Sequence, residues 1–387
     1  MKTTGWDVVC SKEDPNSLWF AYQIARALNE RRHAVRLITD EVRALSVAQR
    51  DVDPKLWVQA HDTGHIVDQR ISGYISPVAN LVQVFDSRPS RGYMSRFVSQ
   101  ETPGNWFCVR APWHDGDARE AVRLLDSTSS YRRYEARLGD VPGGAGYVRP
   151  PAQGPVRRRG APWLRQARAS LLNLLCLPHT LLEHELFVLA SGGDSCRADA
   201  WLQGRATLDL RSCLFVADGP MQAQLAPRVG LEPGTTGIAD CGGVTVVFLP
   251  PLMWFVLDEV IGACDAVLTC RDDMALRAAE NGTPVILAAP QARAAAFLHW
   301  YAPAASADLR QAWLAFADAL QTGAAMDKAW IGFVGRHPQF NKAAADLQDR
   351  MNGAPELVDM LSAAAAGDGA DHVARFFAPT QPIEMHE

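Results

Sequence analysis

Short apolar runs alternate with helically spaced apolar residues along most of the 387-residue chain. Near its start, residues 6–10 and 34–39 are mostly apolar runs typical of buried strands, and Leu18, Tyr22 and Ala25 between them have the spacing of one helix face. A strand, a helix and a second strand in this order predict parallel pairing, because the helix returns the chain to the same end of the sheet. Residues 81–85 and 106–109 are predicted to be later strands of this sheet. The alternation therefore predicts an α/β protein.

The alternation is interrupted between residues 138 and 162, where Gly, Pro and Arg dominate. Glycine and proline disfavour regular elements, so this stretch is the predicted linker between two domains. Beyond it we predict a helix at 182–190, helices within 305–361, and strands at 170–177, 212–216, 244–250, 266–268 and 285–288. The predicted architecture is two Rossmann-type βα domains, at residues 1–150 and 151–362, facing each other across a cleft, with a tail at 363–387. Ligands of such sheets bind at the carboxyl ends of the strands.

Composition argues against several classes of function. The formal net charge of -5 gives no overall positive field that would attract nucleic acid or an anionic membrane. No apolar run approaches the roughly 18 residues of a membrane span, and no apolar core of a signal peptide precedes Lys12. The 8 cysteines include no C-x-x-C pair, so a zinc site has little support and reduced thiols are expected. We expect a cytoplasmic protein without a bound metal and without nucleic-acid or membrane partners.

The segment from residue 264 to residue 287 is the most informative. It contains a short apolar run, a polar turn, a helical pattern beginning near Asp273, and then Gly-Thr-Pro before another apolar run. Asp272 or Asp273 is a natural N-cap, and Gly282 is a natural residue to follow the helix end. The N–H groups at a helix N-terminus that follows a sheet strand bind anions. The segment therefore predicts either a phosphate-binding edge or an ordinary βαβ unit with a capped helix.

Motifs in both halves of the chain resemble one family of transferases. Residues 246–251 are Val-Val-Phe-Leu-Pro-Pro, and a helical pattern and Ala-Cys-Asp at 263–265 follow them. Residues 6–10 are Trp-Asp-Val-Val-Cys, and residues 35–41 are Val-Arg-Leu-Ile-Thr-Asp-Glu. These motifs resemble the Phe-Leu-Pro-Gln, Ala-Cys-Asp, Trp-Asp-Ile-Phe-Cys and Val-Arg-Leu-Trp-Val-Asp-Asp segments of the elongation factor P arginine rhamnosyltransferases (EarP). The resemblance covers roughly residues 6–300 and implies the GT-B fold.

The resemblance also implies a reaction. The family moves rhamnose from dTDP-β-L-rhamnose to an arginine of elongation factor P with inversion, and it needs no cofactor besides this donor substrate. A guanidinium stays protonated and is a poor nucleophile, so a carboxylate must hold it or remove a proton during attack. The partners implied are therefore a nucleotide sugar and elongation factor P as the protein acceptor.

Candidate site residues follow from the matched motifs. The resemblance implies Asp14 as the base, with Glu13 as the second choice. It implies Phe248 as a stacking face for thymine, and for the diphosphate it implies Arg271 together with the backbone N–H groups of Asp272 and Asp273.

Several positions differ from the family motifs. The first loop lacks the family's second carboxylate, Pro251 stands where the family has Gln, and Met274 stands where it has Ser. Arg88 and Arg110 stand at positions that are acidic in the family. Two alternatives therefore remain open: a catalytically impaired paralogue that keeps the fold and a binding function, and a GT-B enzyme with a different donor or acceptor.

Overall fold

The computed structural model describes residues 5–10, 17–40, 64–68, 76–85, 87–113, 122–137, 139–140, 147–148, 161–192, 202 and 210–366. These residues form two compact units. The first unit holds the described residues up to 148 together with those from 353 to 366, and the second holds those from 161 to 352. Most of the linker predicted at 138–162 lies outside the described residues.

The first unit contains a seven-stranded sheet of order β3-β2-β1-β4-β5-β7-β6. Its strands are β1 (Gly5–Cys10), β2 (Ala34–Thr39), β3 (Gly64–Asp68), β4 (Asn80–Val84), β5 (Gly104–Arg110), β6 (Val122–Ser127) and β7 (Tyr131–Arg137). Every neighbouring pair is parallel except β6 with β7. Two short strands, β8 (Gly139–Asp140) and β9 (Tyr147–Val148), pair separately. The strand order reverses between β1 and β4, which marks the switch point where such sheets bind ligands.

Two of the described helices accompany this sheet, α1 (Ser17–Glu30) between β1 and β2, and α2 (Arg91–Phe97) before β5. The β1–α1–β2 opening confirms the prediction from the sequence. Strand β1 is buried over nearly its whole length, as expected for a parallel strand covered on both faces. On one face Val9, Leu81, Tyr93 and Phe97 pack into a single apolar cluster.

The second unit contains a six-stranded sheet of order β12-β13-β11-β10-β14-β15. Its strands are β10 (Leu186–Ser191), β11 (Ser212–Val216), β12 (Gly237–Cys241), β13 (Val244–Phe248), β14 (Ala266–Thr269) and β15 (Val285–Leu287). Only the edge strand β12 is antiparallel to its neighbour. The strand predictions at 212–216, 244–250, 266–268 and 285–288 are confirmed. The switch point of this sheet lies between β10 and β14, where Ser191 pairs with Thr269.

Two predictions at the start of this unit were wrong. Residues 170–177 were predicted to be a strand, but they overlap the end of helix α3 (Ala161–Leu174). Residues 182–190 were predicted to be a helix, but they contain the end of a 3-10 turn (His179–Glu183) and most of β10. All six residues of β10 are buried. A parallel strand buried on both faces has a continuous apolar sequence, which periodicity alone does not distinguish from a buried helix.

The remaining helices among the described residues of the second unit are α4 (Pro220–Leu225), α5 (Trp254–Ala263), α6 (Asp272–Glu280), α7 (Gln291–Tyr301), α8 (Ala307–Thr322), α9 (Met326–Val334) and α10 (His337–Asn352). A 3-10 turn at Ala226–Val229 follows α4. The strand, loop and helix predicted between residues 244 and 257 correspond to β13, a turn and α5.

The last described helix, α11 (Leu357–Ala365), belongs to the first unit. Arg31, which follows the end of α1, donates hydrogen bonds to Glu356 and Asp359, each at 2.7 Å. The sequence prediction placed residues 353–362 in the second domain, and this assignment differs from the structure. The contact joins residues 328 positions apart, and a long-range ion pair of this kind leaves no local signal in the sequence.

Within the described residues, no helix is long and apolar enough to cross a membrane.

Candidate functional site

Two helices begin side by side at the carboxyl edge of the second sheet. Strands β14 and β15 are parallel neighbours, with Thr269 in register with Leu287. Helix α6 follows the first of them and α7 follows the second. The buried Thr269 hydroxyl accepts a hydrogen bond from the N–H of Arg271 at 3.0 Å and thereby fixes the turn into α6. This edge therefore presents two helix N-termini, each with N–H groups that have no intrahelical acceptor.

The sequence correctly predicted the residue that follows α6 but not its N-cap. The helix begins at Asp272, and Arg271 is its N-cap, with an extended backbone and no side-chain cap bond. The prediction that Asp272 or Asp273 is the N-cap was therefore wrong, although both acids lie in the first turn, where a negative charge stabilises the helix dipole. Gly282 follows the helix end with φ of 64°, which confirms its prediction.

The two acids at the start of α6 each hold an arginine. Arg271 donates to the Asp273 carboxylate through Nε at 3.1 Å and through Nη2 at 2.8 Å. Arg293, in the first turn of α7, donates to Asp272 at 2.6 Å. The side chain of Asp273 is 3% exposed, whereas those of Arg271 and Arg293 are 30% and 41% exposed. The buried and half-buried carboxylates thus fix two guanidinium groups that solvent and ligands can reach.

Arg293 was not predicted from the sequence as a site residue. It lies 21 residues from its partner Asp272, so no local motif connects the two. The available signal was weaker, namely an arginine in the first turn of the helix that follows the next strand.

A pocket of about 550 Å³ opens at the end of β13. Its walls are the end of α3 and the residues after it (174–177), the start of β12 (236–238), the end of β13 with the turn that follows (247–253), and Val256 in α5. Pockets of this size hold small organic ligands.

Phe248 is the last residue of β13 and lines this pocket. It is 2% exposed, so its ring contributes a wall rather than an open stacking face. Pro251, at the position where the resembling family has Gln, also lines the pocket. Strand β13 lies three positions from β14 in the sheet order, which corresponds to about 14 Å at the usual strand spacing. The pocket and the edge near Asp272 therefore share the carboxyl edge of one sheet.

Ser191 and Gly192 also lie at this edge and were not predicted from the sequence. Ser191 ends β10 at the switch point, opposite Thr269, and is 2% exposed. Because residues 182–190 were predicted to be a helix, no strand end was expected at Ser191.

The candidate bases Asp14 and Glu13 lie in residues 11–16, outside the described residues. Strand β1 ends just before them, at Cys10, beside the switch point of the first sheet. On the neighbouring strand end, Phe85 has φ of 50°, and its carbonyl accepts a hydrogen bond from Arg110 at 3.5 Å.

Several solved structures are similar to this chain. The structure of EarP, described for arginine glycosylation of translation elongation factor EF-P, has a TM-score of 0.58 at 19% identity, covering 94% of this chain and 99% of that one. A Listeria monocytogenes protein assigned as a UDP-N-acetylglucosamine 2-epimerase has a TM-score of 0.51 at 8% identity, covering 96% and 98%. MurG of Acinetobacter baumannii has a TM-score of 0.46 at 10% identity, covering 93% and 99%. The chain matches no protein-family model and has no significant match among curated proteins.

The likeness to the EarP structure establishes the fold and confirms the prediction of two Rossmann-type βα domains. The chain has the GT-B fold, with two Rossmann-like α/β units. The resemblance to EarP inferred from sequence motifs is supported by the likeness of the two structures over nearly the whole chain. At these identities, activity does not follow from fold alone, since one fold hosts several chemistries.

Proposed function

We propose that this protein is an inverting glycosyltransferase that moves rhamnose from dTDP-β-L-rhamnose to an arginine of elongation factor P. The observation that carries the proposal is the carboxyl edge of the second sheet. There a pocket suited to a small organic ring and two carboxylate-anchored arginines lie along one sheet edge. A nucleoside diphosphate has the matching layout, with an uncharged ring at one end and two phosphates at the other.

The nucleotide base occupies the pocket in this proposal. Phe248 and the turn after it form its wall. Burial of a ring against apolar side chains favours binding in proportion to the apolar area removed from water. The strand order separates this wall from the start of α6 by three positions, so the rest of the nucleotide extends along the edge.

The diphosphate binds at the start of α6. Arg271 offsets its charge, and the backbone N–H groups of Asp272 and Asp273 donate to its oxygens. The carboxylate of Asp273 keeps Arg271 in place through two hydrogen bonds. As the sugar leaves, negative charge grows on the diphosphate, and these fixed positive groups stabilise it without a metal.

The acceptor nitrogen attacks the anomeric carbon from the face opposite the diphosphate. A new C–N bond forms, the C–O bond to dTDP breaks, and its electron pair stays on the diphosphate. The proton lost by the guanidinium nitrogen goes to the carboxylate of Asp14, with Glu13 as the second choice. A base of this kind contributes roughly 10²–10⁴-fold in rate.

An impaired paralogue is the second candidate, and one observation favours it. Arg271 and Asp273 bind each other, so a guanidinium proposed for the diphosphate already has an anionic partner. A protein that binds the nucleotide weakly and transfers no sugar is compatible with this pairing, and an enzyme with another donor or acceptor also fits this edge.

Mass spectrometry of elongation factor P tests the proposal. The intact factor is incubated with the full-length protein and dTDP-β-L-rhamnose, and a stoichiometric rhamnose adduct on arginine is the expected product. Asp14→Asn is expected to lower the rate by at least about a hundredfold, while a variant of an exposed acid in α8, Asp318→Asn, leaves it unchanged. Absence of the adduct together with tight dTDP binding would favour the paralogue.

A further inference from the structure

We infer that the pocket at the end of β13 accepts a pyrimidine without recognising its hydrogen-bonding edge, so that the protein selects weakly among thymine, uracil and cytosine nucleotides. This inference rests on the proposed function, because it assigns the base of the donor to this pocket. It concerns which nucleotide bases the pocket prefers, not whether the pocket binds a nucleotide.

Few described side chains of the pocket wall can form a strong hydrogen bond. Among the lining residues of the described chain, the hydroxyl of Thr236 is the one strong side-chain partner. The thiol of Cys176 and the thioether of Met253 are weak partners. Thr236 is exposed, so water competes for its hydroxyl. The other lining residues have apolar side chains, apart from Gly237, which has no side chain.

Much of the main chain of the wall is already engaged as well. The N–H groups of Leu175, Cys176 and Leu177 donate to carbonyls of α3 at 2.9, 3.2 and 2.8 Å. Pro250 and Pro251 line the pocket and have no N–H.

The end of β13 offers no better partner. The N–H of Leu249 donates to Val216 at 3.0 Å, and its carbonyl accepts from the side-chain amide of Gln222 at 3.0 Å. Val247 and Phe248 lie on a strand paired on both sides, with β11 and with β12. In this part of the wall, the N–H groups of Leu249 and of residues 175–177, and the carbonyl of Leu249, are therefore engaged within the protein.

The expected selectivity follows from the chemistry of such a wall. A site that hydrogen-bonds a substrate group rejects an analogue lacking it by about 10⁴–10⁵, whereas an apolar pocket distinguishes neighbours by only about 10–200-fold. Thymine and cytosine carry reversed donor and acceptor patterns, so they test recognition of the edge. Thymine differs from uracil by one methyl group, whose burial changes affinity by about fourfold.

Titration of the full-length protein with dTDP, dUDP and dCDP tests the inference. We expect three dissociation constants within about tenfold of one another, with dTDP the tightest by no more than about fourfold over dUDP. A preference of more than about tenfold for dTDP over dCDP would overturn the inference and leave the proposed function intact. Failure of all three nucleotides to bind would overturn both.

Two isoleucine variants, one inside the pocket and one outside it, test whether the nucleotides bind in this pocket. Ile238 lines the pocket on β12 and is 40% exposed, whereas Ile331 lies on α9, outside the pocket, and is 56% exposed. Ile238→Ala is expected to raise all three dissociation constants by a similar factor of several-fold, and Ile331→Ala is expected to change none. If Ile238→Ala left all three unchanged, or affected one base alone, the inference would be wrong.

Discussion

The carboxylate of Asp272 holds the guanidinium of Arg293 at 2.6 Å and so joins the first turns of two helices that follow neighbouring strands. Asp273 holds Arg271 in the same way. Acids at a helix N-terminus usually stabilise the helix dipole directly. Here they also place two positive groups at the sheet edge where the proposed function puts the diphosphate.

Removal of Arg293 is expected to weaken binding of the diphosphate and not of the nucleoside. A charge-assisted hydrogen bond to an ionised group is worth about 1.5–3 kcal/mol, and partial exposure reduces it, so we expect Arg293→Ala to raise the dissociation constant for dTDP about tenfold. Isothermal titration with dTDP and with thymidine measures both. The control is Arg211→Ala, because Arg211 is 71% exposed and pairs with Glu183 elsewhere in the unit. If Arg293→Ala and Arg211→Ala bound dTDP with equal affinity, Arg293 would not contribute to diphosphate binding.

The first unit has a buried ionic network, and its disruption is expected to lower the free energy of unfolding. The side chain of Asp7 is 0% exposed and accepts from Arg36 at 2.6 and 2.7 Å and from the hydroxyl of Tyr93. Tyr93→Phe removes one donor from a buried carboxylate, and we expect a loss of about 1–3 kcal/mol at neutral pH by urea unfolding. Tyr131→Phe is the control, since Tyr131 donates to Asp126 at an exposed site. A shift no larger than that of the control would contradict this account.

The same tyrosine predicts a loss of stability at alkaline pH. Burial first, and the nearby Asp7 carboxylate second, raise the pKa of Tyr93 well above its ordinary value. The unfolded chain therefore releases this proton at lower pH than the folded one, and the stabilisation it gives is lost as pH rises above about 10. Urea midpoints between pH 8 and pH 11 should fall more steeply for the wild type than for Tyr93→Phe. Parallel curves would show that Tyr93 does not contribute.

Asp265 is expected to be a major source of stability in the second unit. It is 5% exposed, accepts the N–H of Phe187 at 2.7 Å and pairs with Arg168, whose guanidinium lies 4.3 Å from the Phe187 ring centroid. Asp265→Ala leaves a mostly buried arginine and a strand N–H without their acceptor, which costs about 3–5 kcal/mol. Thermal unfolding checks this, with the exposed Asp318→Ala as control. Similar unfolding temperatures for the two variants would refute it.

The sequence predicted the parallel strands and the fold more fully than the site. Strands such as 34–39 and 212–216 were found because each is a short, mostly apolar run with polar residues on both sides. Residues 170–177 and 182–190 were misassigned because Leu-rich segments fit either element: α3 ends in Ser-Leu-Leu-Asn-Leu, and β10 begins Leu-Phe-Val-Leu. Only the packing of each segment in the folded chain decides between them.

The features of the site that depend on residues close together in the sequence were predicted. The start of a helix near Asp273 followed from the strand-turn-helix pattern, and Gly282 followed from the need for a positive φ. The Asp272–Arg293 contact and the pocket wall formed by 174–177 with 236–238 connect distant segments. Contacts of this kind depend on the three-dimensional arrangement of the strands, which no short motif encodes.

Hydrogen–deuterium exchange of the full-length protein with dTDP-β-L-rhamnose tests most directly that the carboxyl edge of the second sheet is the donor site. We expect slower exchange in peptides covering residues 247–257 and 270–276, which contain the end of β13 and the start of α6. Peptides from α8 and α9 should be unchanged, because neither helix contributes to the pocket or to the two arginine pairs. Protection confined to the first unit, or no protection at any concentration of the nucleotide sugar, would contradict the account.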